Sequence, residues 1–198
     1  DKDFFNNVEK LGYERELITV QEIKRALDFK YPKNGSGIFN SFVKMLIFDA
    51  LIGINDRHFY NWGVIESIRG GDNIRFSPIY DSARSLFWNF PDERIAKLEK
   101  DVGFRKQLFE KYILRSRPKL SVQGLNHPSH FSLLERLIQT IPTCKPFALK
   151  MSSNDNKRRV ETFIKSNYGK LLGKSRTKII LEYLSLRFSR FRQIAKAS

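Results

Sequence analysis

The sequence predicts a mainly α fold carrying one small β-hairpin. Apolar residues recur at i, i+3, i+4 spacing in six separate stretches, while only one pair of short apolar runs flanks a Gly-Gly turn. No internal repeat or low-complexity tract competes with that reading.

The elements follow in order. Leu17, Val20, Ile23 and Leu27 share a face with charges between them, so a short amphipathic helix is expected, with Thr19 as its candidate cap. Pro32, Asn34, Gly35, Ser36 and Gly37 form a loop, its glycines serving as a turn into the next helix. Ile38, Phe39, Phe42, Val43, Leu46, Ile47, Ala50 and Leu51 then give the strongest helical pattern of the first half, an almost wholly buried helix that stops at Gly53. Ile54 to Trp62 is polar and aromatic without period and is read as a loop. Trp62, Val64 and Ile65 make one strand, Arg69 to Asn73 a tight turn, and Ile74, Phe76 and Ile79 a second strand. Beyond Pro91, one apolar face runs from Ile95 through Leu98, Val102, Phe104, Leu108 and Tyr112 to Ile113, predicting a single helix as far as Pro118. Residues 117–130 hold two prolines, a glycine and two histidines and read as a connector. Helices are expected over 132–141, 155–168 and 177–197.

At 198 residues and 41% apolar content, the chain has the makings of a globular fold, which excludes a disordered tail or a coiled coil. A net charge of +15 favours anionic partners without choosing among them. One cysteine, Cys144, excludes an internal disulfide framework and suits a reducing compartment, so a cytoplasmic location is expected. No uninterrupted apolar run reaches the roughly 18 residues of a membrane span; the longest candidate, Met45 to Ile54, is broken by Asp49 and Gly53, so no membrane is expected. Residues 150–198 hold 13 Lys or Arg against 3 Asp or Glu, a local charge of +10, leaving +5 for the other 149 residues. A solvated face on a packed helix, with Arg187, Arg190, Arg192 and Lys196 directed away from the core, is the plain account; direct contact with nucleic acid or an acidic partner is the other.

The chemistry-bearing segment is Gly53-Ile54-Asn55-Asp56-Arg57-His58-Phe59-Tyr60-Asn61-Trp62, followed after the hairpin by Ser77-Pro78-Ile79-Tyr80-Asp81. Phosphoryl transfer from magnesium ATP needs a carboxylate to orient the acceptor, an Asn oxygen a short loop away, and a further Asp on the metal. Asp56, Asn61 and Asp81 supply that set in that order. Asp49 is read as a buried partner for a nearby Arg, and His127 with His130 as loop residues for want of a third metal ligand.

These residues resemble the HipA-like serine/threonine kinase family, through Leu51-Ile52-Gly53, the Asp-x-His-x-x-Asn string from Asp56 to Asn61, and Pro78-Ile79-Tyr80-Asp81. The Asp-Arg-His-x-x-Asn string is also similar to the catalytic loop of phosphoinositide-type lipid kinases. The resemblance implies a kinase-like helical C-lobe over 1–198, with Asp56 as the catalytic aspartate and Asn61 and Asp81 as the magnesium and ATP ligands. His58, where ordinary protein kinases have Lys, would donate to the transferring phosphate or the loop. Tyr60 stands where the family often has Lys, which leaves phosphate neutralisation to Arg57, His58 or the metal; Arg84 is read as a surface pair. The resemblance further implies a protein Ser or Thr acceptor, a bacterial source, and pairing as a toxin with a DNA-binding antitoxin.

Only 55 residues precede Asp56 and they read as helices, so the nucleotide-clamping lobe with its Gly-rich loop and strand Lys is expected to lie outside this chain, which starts at Asp1 without an initiating Met. Two alternatives stay open: a non-catalytic basic module that binds DNA or an acidic protein, and a small-molecule phosphotransferase, since aminoglycoside-type kinases share Asp-x-x-x-x-Asn followed by Asp.

Overall fold

Thr19 opens the first described helix as its position predicts: its side chain accepts the Glu22 N–H while the Glu22 carboxylate takes the Thr19 N–H, a reciprocal capping box. The computed structural model describes residues 18–68 and 73–197, and over them the fold is mainly α with one small antiparallel sheet. The elements are α1 (Val20–Lys30), α2 (Gly35–Ile52), β1 (Val64–Ile65), β2 (Arg75–Phe76), α3 (Asp92–Lys100), α4 (Val102–Arg115), α5 (His130–Thr140), α6 (Cys144–Met151), α7 (Asn154–Leu172) and α8 (Lys174–Ala197).

α2 is the central helix. It starts at Gly35, a turn earlier than expected, and only glycine fits there because α1 lies against that point: a Cβ on Gly35 would sit 2.7 Å from the Leu27 carbonyl oxygen. This 18-residue helix is long and apolar enough to span a membrane, with a mean hydropathy of 1.3, and it packs as a core helix with both its outer turns and its middle buried. α1, α5, α6, α8 and the hairpin surround it. Val64 pairs with Phe76 and Ile65 with Arg75; the expected tight turn at 69–73 lies, but for Asn73, outside the described residues.

Two corrections concern helices. The apolar face from Ile95 to Ile113 is carried by two helices, because Asp101 ends α3 and caps α4 by accepting the Phe104 N–H at 2.8 Å. The periodicity crosses this break without interruption, so it could not reveal it. α6 was not expected: Pro146 stands in its first turn, where a missing N–H costs nothing, and Cys144 and Ala148 bury its inner side.

α8 forms a wall shared by two apolar clusters. Phe188, Phe191 and Ile194 join the α2 core, and Ile179, Ile180, Tyr183 and Leu184 join Phe87, Phe90, Leu98 and Phe109. Arg187, expected to point away, is fully buried between them. α7, by contrast, has no fully buried residue.

Candidate active site

The loop after α2 begins with a chain reversal at Gly53, whose φ of 77° is left-handed and whose N–H closes on the Asp49 carbonyl at 2.7 Å. The carbonyls left open at this helix end are taken by Arg187 from α8. Its Nε donates to Leu51 O at 3.1 Å and its Nη2 to Ala50 O at 2.5 Å, while Nη1 donates to the Ser116 and Tyr183 hydroxyls, both at 2.9 Å. The cation thus meets the negative end of the α2 dipole and lies 4.9 Å from the Phe131 ring centre. Burial pulls its pKa down, with Tyr183 opposing.

The loop then closes on itself. His58 N–H bonds Asp56 O at 3.0 Å, Asn61 N–H bonds His58 O at 3.0 Å, and a 3₁₀ turn, Phe59–Asn61, is capped by His58 Nδ1 accepting from Tyr60 N–H. With Nδ1 accepting, Nε2 is the ring nitrogen that carries the proton. Asn61 is buried, and its Nδ2 donates to Asp56 O at 2.6 Å; since a carbonyl can only accept, the amide is oriented with Oδ1 as its remaining acceptor.

Arg57 is the hub. It is fully buried and uses all five guanidinium donors: Nε and Nη2 on the two oxygens of Asp49 at 2.7 and 3.1 Å, Nη1 on Asn61 O at 2.7 Å and Tyr80 O at 2.8 Å, and Nη2 on Ser82 Oγ at 3.2 Å. Asp49 therefore has the buried Arg partner its position implied. Burial pushes the Asp49 carboxyl up to about 6, against the downward pull of Arg57. The bidentate geometry and the saturated guanidinium hold the pair ionised at neutral pH. Phosphate neutralisation by Arg57, one of the options the resemblance left open, is thereby excluded: it is fully buried with no donor left over.

The segment bearing Asp81 is bonded to this loop at five points. Two are the Arg57 bonds to Tyr80 O and Ser82 Oγ; the others are Tyr80 OH to Tyr60 O at 2.9 Å, Asn55 N–H to Arg84 O at 3.1 Å, and Arg84 Nε to Asp56 Oδ2 at 3.1 Å. Arg84 does form the pair expected of it, and its partner is Asp56. Asp56 itself is 18% exposed in its side chain, against 58% for Arg84. Asp81 is exposed and left-handed at φ 49°, and Leu86 and Phe87 follow with φ of 52° and 61°. Such non-glycine conformations cost about 1 kcal/mol or more each and persist only where surrounding bonds over-determine them. Here Arg57 grips both neighbours of Asp81, and Phe87 is stacked on Phe109.

His130, like Arg187, lies where the sequence does not place it. It opens α5, is fully buried, and bonds Ile54 O through Nε2 at 2.8 Å, supporting the loop from behind; burial and the nearby Arg187 and Arg57 lower its pKa to about 3. His127 lies apart at φ 47° with its N–H on Ser121 Oγ. Among the described residues no three His, Cys, Asp or Glu side chains cluster as a metal site. Cys144 is buried and its thiol pushed up to about 12, which suits an inert side chain.

The architecture has a solved counterpart. The crystal structure of the Helicobacter pylori proinflammatory kinase CtkA superposes with a TM-score of 0.74 over 92% of this chain, at 16% sequence identity. The fold is kinase-like. This chain spans 63% of the length of that kinase, and at such identity the likeness speaks for the fold. No protein-family model matches the sequence, and no curated protein matches it.

Proposed function

We propose that this chain is the helical part of a magnesium- and ATP-dependent phosphotransferase acting on a protein Ser or Thr hydroxyl. The observation that carries the reading is the Arg57 hub: one saturated guanidinium holds the loop of Asp56 and Asn61 against the segment of Asp81. Asp56 keeps Oδ1 for an acceptor hydroxyl while Arg84 occupies Oδ2. Asn61 Oδ1 and the Asp81 carboxylate are hard oxygen donors, the chemistry a magnesium ion takes, and these two residues would hold it. When bound, the ion neutralises phosphate charge. His58 Nε2–H is a donor available to a phosphoryl oxygen. The kinase-like fold supports the reaction class; the HipA-like motif supports the protein acceptor.

The test is transfer of radiolabelled γ-phosphate from magnesium ATP to the protein itself and to a cell extract, with Asp56→Ala as control. Label that depends on Asp56 supports the reading. Absence of transfer in any form of the protein, including one carrying whatever sequence its gene encodes upstream, overturns it.

A further inference from the structure

We propose that the outer face of α7 binds single-stranded nucleic acid, a property separate from the site around Asp56. α7 runs for 19 residues without one fully buried side chain, so its outward half is free of packing duties. Its two carboxylates are committed to near neighbours, Asp155 to Arg158 and Glu161 to Lys157. Arg159, Lys165 and Lys170 have no carboxylate partner among the described residues and leave the face positive.

Two surface recesses lie along this helix. The first, about 380 Å³, is lined by Arg158, Arg159, Thr162, Phe163, Ser166 and Asn167. The second, about 460 Å³, is lined by Lys165, Gly169, Lys174, Thr177, Lys178 and Leu181. No carboxylate lines either one. Arg158 is shared with Asp155 and Lys178 with Glu99, while Arg159, Lys165 and Lys174 have no carboxylate partner among the described residues. Hydroxyl and amide groups stand between the cations, the mixture that phosphate and sugar oxygens take. Phe163 is 56% exposed, with Tyr168 set edge-on at 5.7 Å and itself 43% exposed. A purely solvated face has no use for exposed rings, whereas a base stacks on them.

The charge and the rings together select the occupant. A membrane surface would need a broad apolar side of the helix, and Val160, Ile164 and Leu172 are already packed against the core, which leaves Phe163, Tyr168 and Leu171 outward among the cations. An acidic peptide would use the cations and leave Phe163 idle. Duplex DNA keeps its bases stacked on one another and offers a ring nothing. A single strand uses both features.

The test is fluorescence anisotropy of a labelled single strand of about twelve nucleotides, within the range that such grooves occupy, titrated with the full chain over a series of salt concentrations. The triple variant Arg159→Glu, Lys165→Glu, Lys170→Glu should lose at least tenfold in affinity and lower the salt slope by roughly 2, the share of three phosphate contacts. Phe163→Ala should lose about fivefold or more at every salt concentration with the slope kept, as expected of a lost stack. None of these residues is fully buried, so circular dichroism should match the wild type. The proposal is overturned if the strand does not bind, if a duplex of the same sequence binds as tightly, if anionic vesicles or a poly-glutamate peptide bind in preference, or if the variants bind as the wild type does.

Discussion

Replacing Arg57 by Ala removes the only cation on a carboxylate with no exposure, and the consequence depends on pH in a way that other losses do not. Breaking a buried pair by deleting one partner costs about 3–5 kcal/mol. Arg57 also leaves Asn61 O and Tyr80 O without their donor, which places the loss toward the upper end of that range. Asp49 already sits at about 6 with Arg57 pulling it down; without that pull it rises further, toward the roughly 8–9 documented for buried carboxylates. A carboxyl whose folded pKa lies above its unfolded value loses stability as pH rises through that interval, at about 1.4 kcal/mol per unit. A rise of two units therefore makes the gap between wild type and Arg57→Ala about 3 kcal/mol wider at pH 9 than at pH 6. Urea unfolding at the two pH values measures it, and Asp49→Asn in the same background should abolish the pH dependence. A gap that is equal at both pH values, or wider at pH 6, would refute the claim that an uncompensated Asp49 charge dominates the loss.

Three further outcomes follow from the site and its supports. Gly53→Ala should cost about 2 kcal/mol or more in chemical denaturation, because the left-handed φ is compounded by a Cβ 3.1 Å from both Arg187 and the Tyr183 hydroxyl. His130 stays neutral when folded while the unfolded chain protonates near 6.5, so stability falls with pH from about 6.5 toward 3, by roughly 2 kcal/mol at pH 5; His130→Gln, measured by thermal unfolding against wild type, should flatten that fall. Asp56→Ala should abolish phosphate transfer with nucleotide affinity largely kept, whereas Asp81→Ala should weaken magnesium ATP binding itself; calorimetric titration beside the transfer assay separates the two, and equal loss of both functions in the Asp56 variant counts against the division.

Features with local causes were legible in the sequence. Thr19 caps α1 through Glu22 three residues on, and Gly53 ends α2 through its own backbone freedom. The spacing of Asp56, Asn61 and Asp81 was legible because the loop and hairpin that separate them are short. Residues that act at long range were not. Arg187 meets Leu51 across 136 positions and His130 meets Ile54 across 76, and nothing near either residue distinguishes it from a surface Arg or a loop His. Arg57 was read for its charge, and the neighbour that consumes that charge was recognised in Asp49 without the two being joined; a basic residue eight positions after a lone acid in an apolar helix was the available hint. Periodicity also carries no record of a phase-preserving break, which is why Asp101 went unread.

Arg187 has one more consequence, in the order of synthesis. The carbonyls from which the Asp56 loop hangs are capped by a residue translated 126 positions after Asn61, about 6–25 s later at ordinary elongation rates. A nascent chain therefore has every residue of the Arg57 hub in hand by position 82, while the end of α2 beneath the loop waits for the last helix to supply its cap.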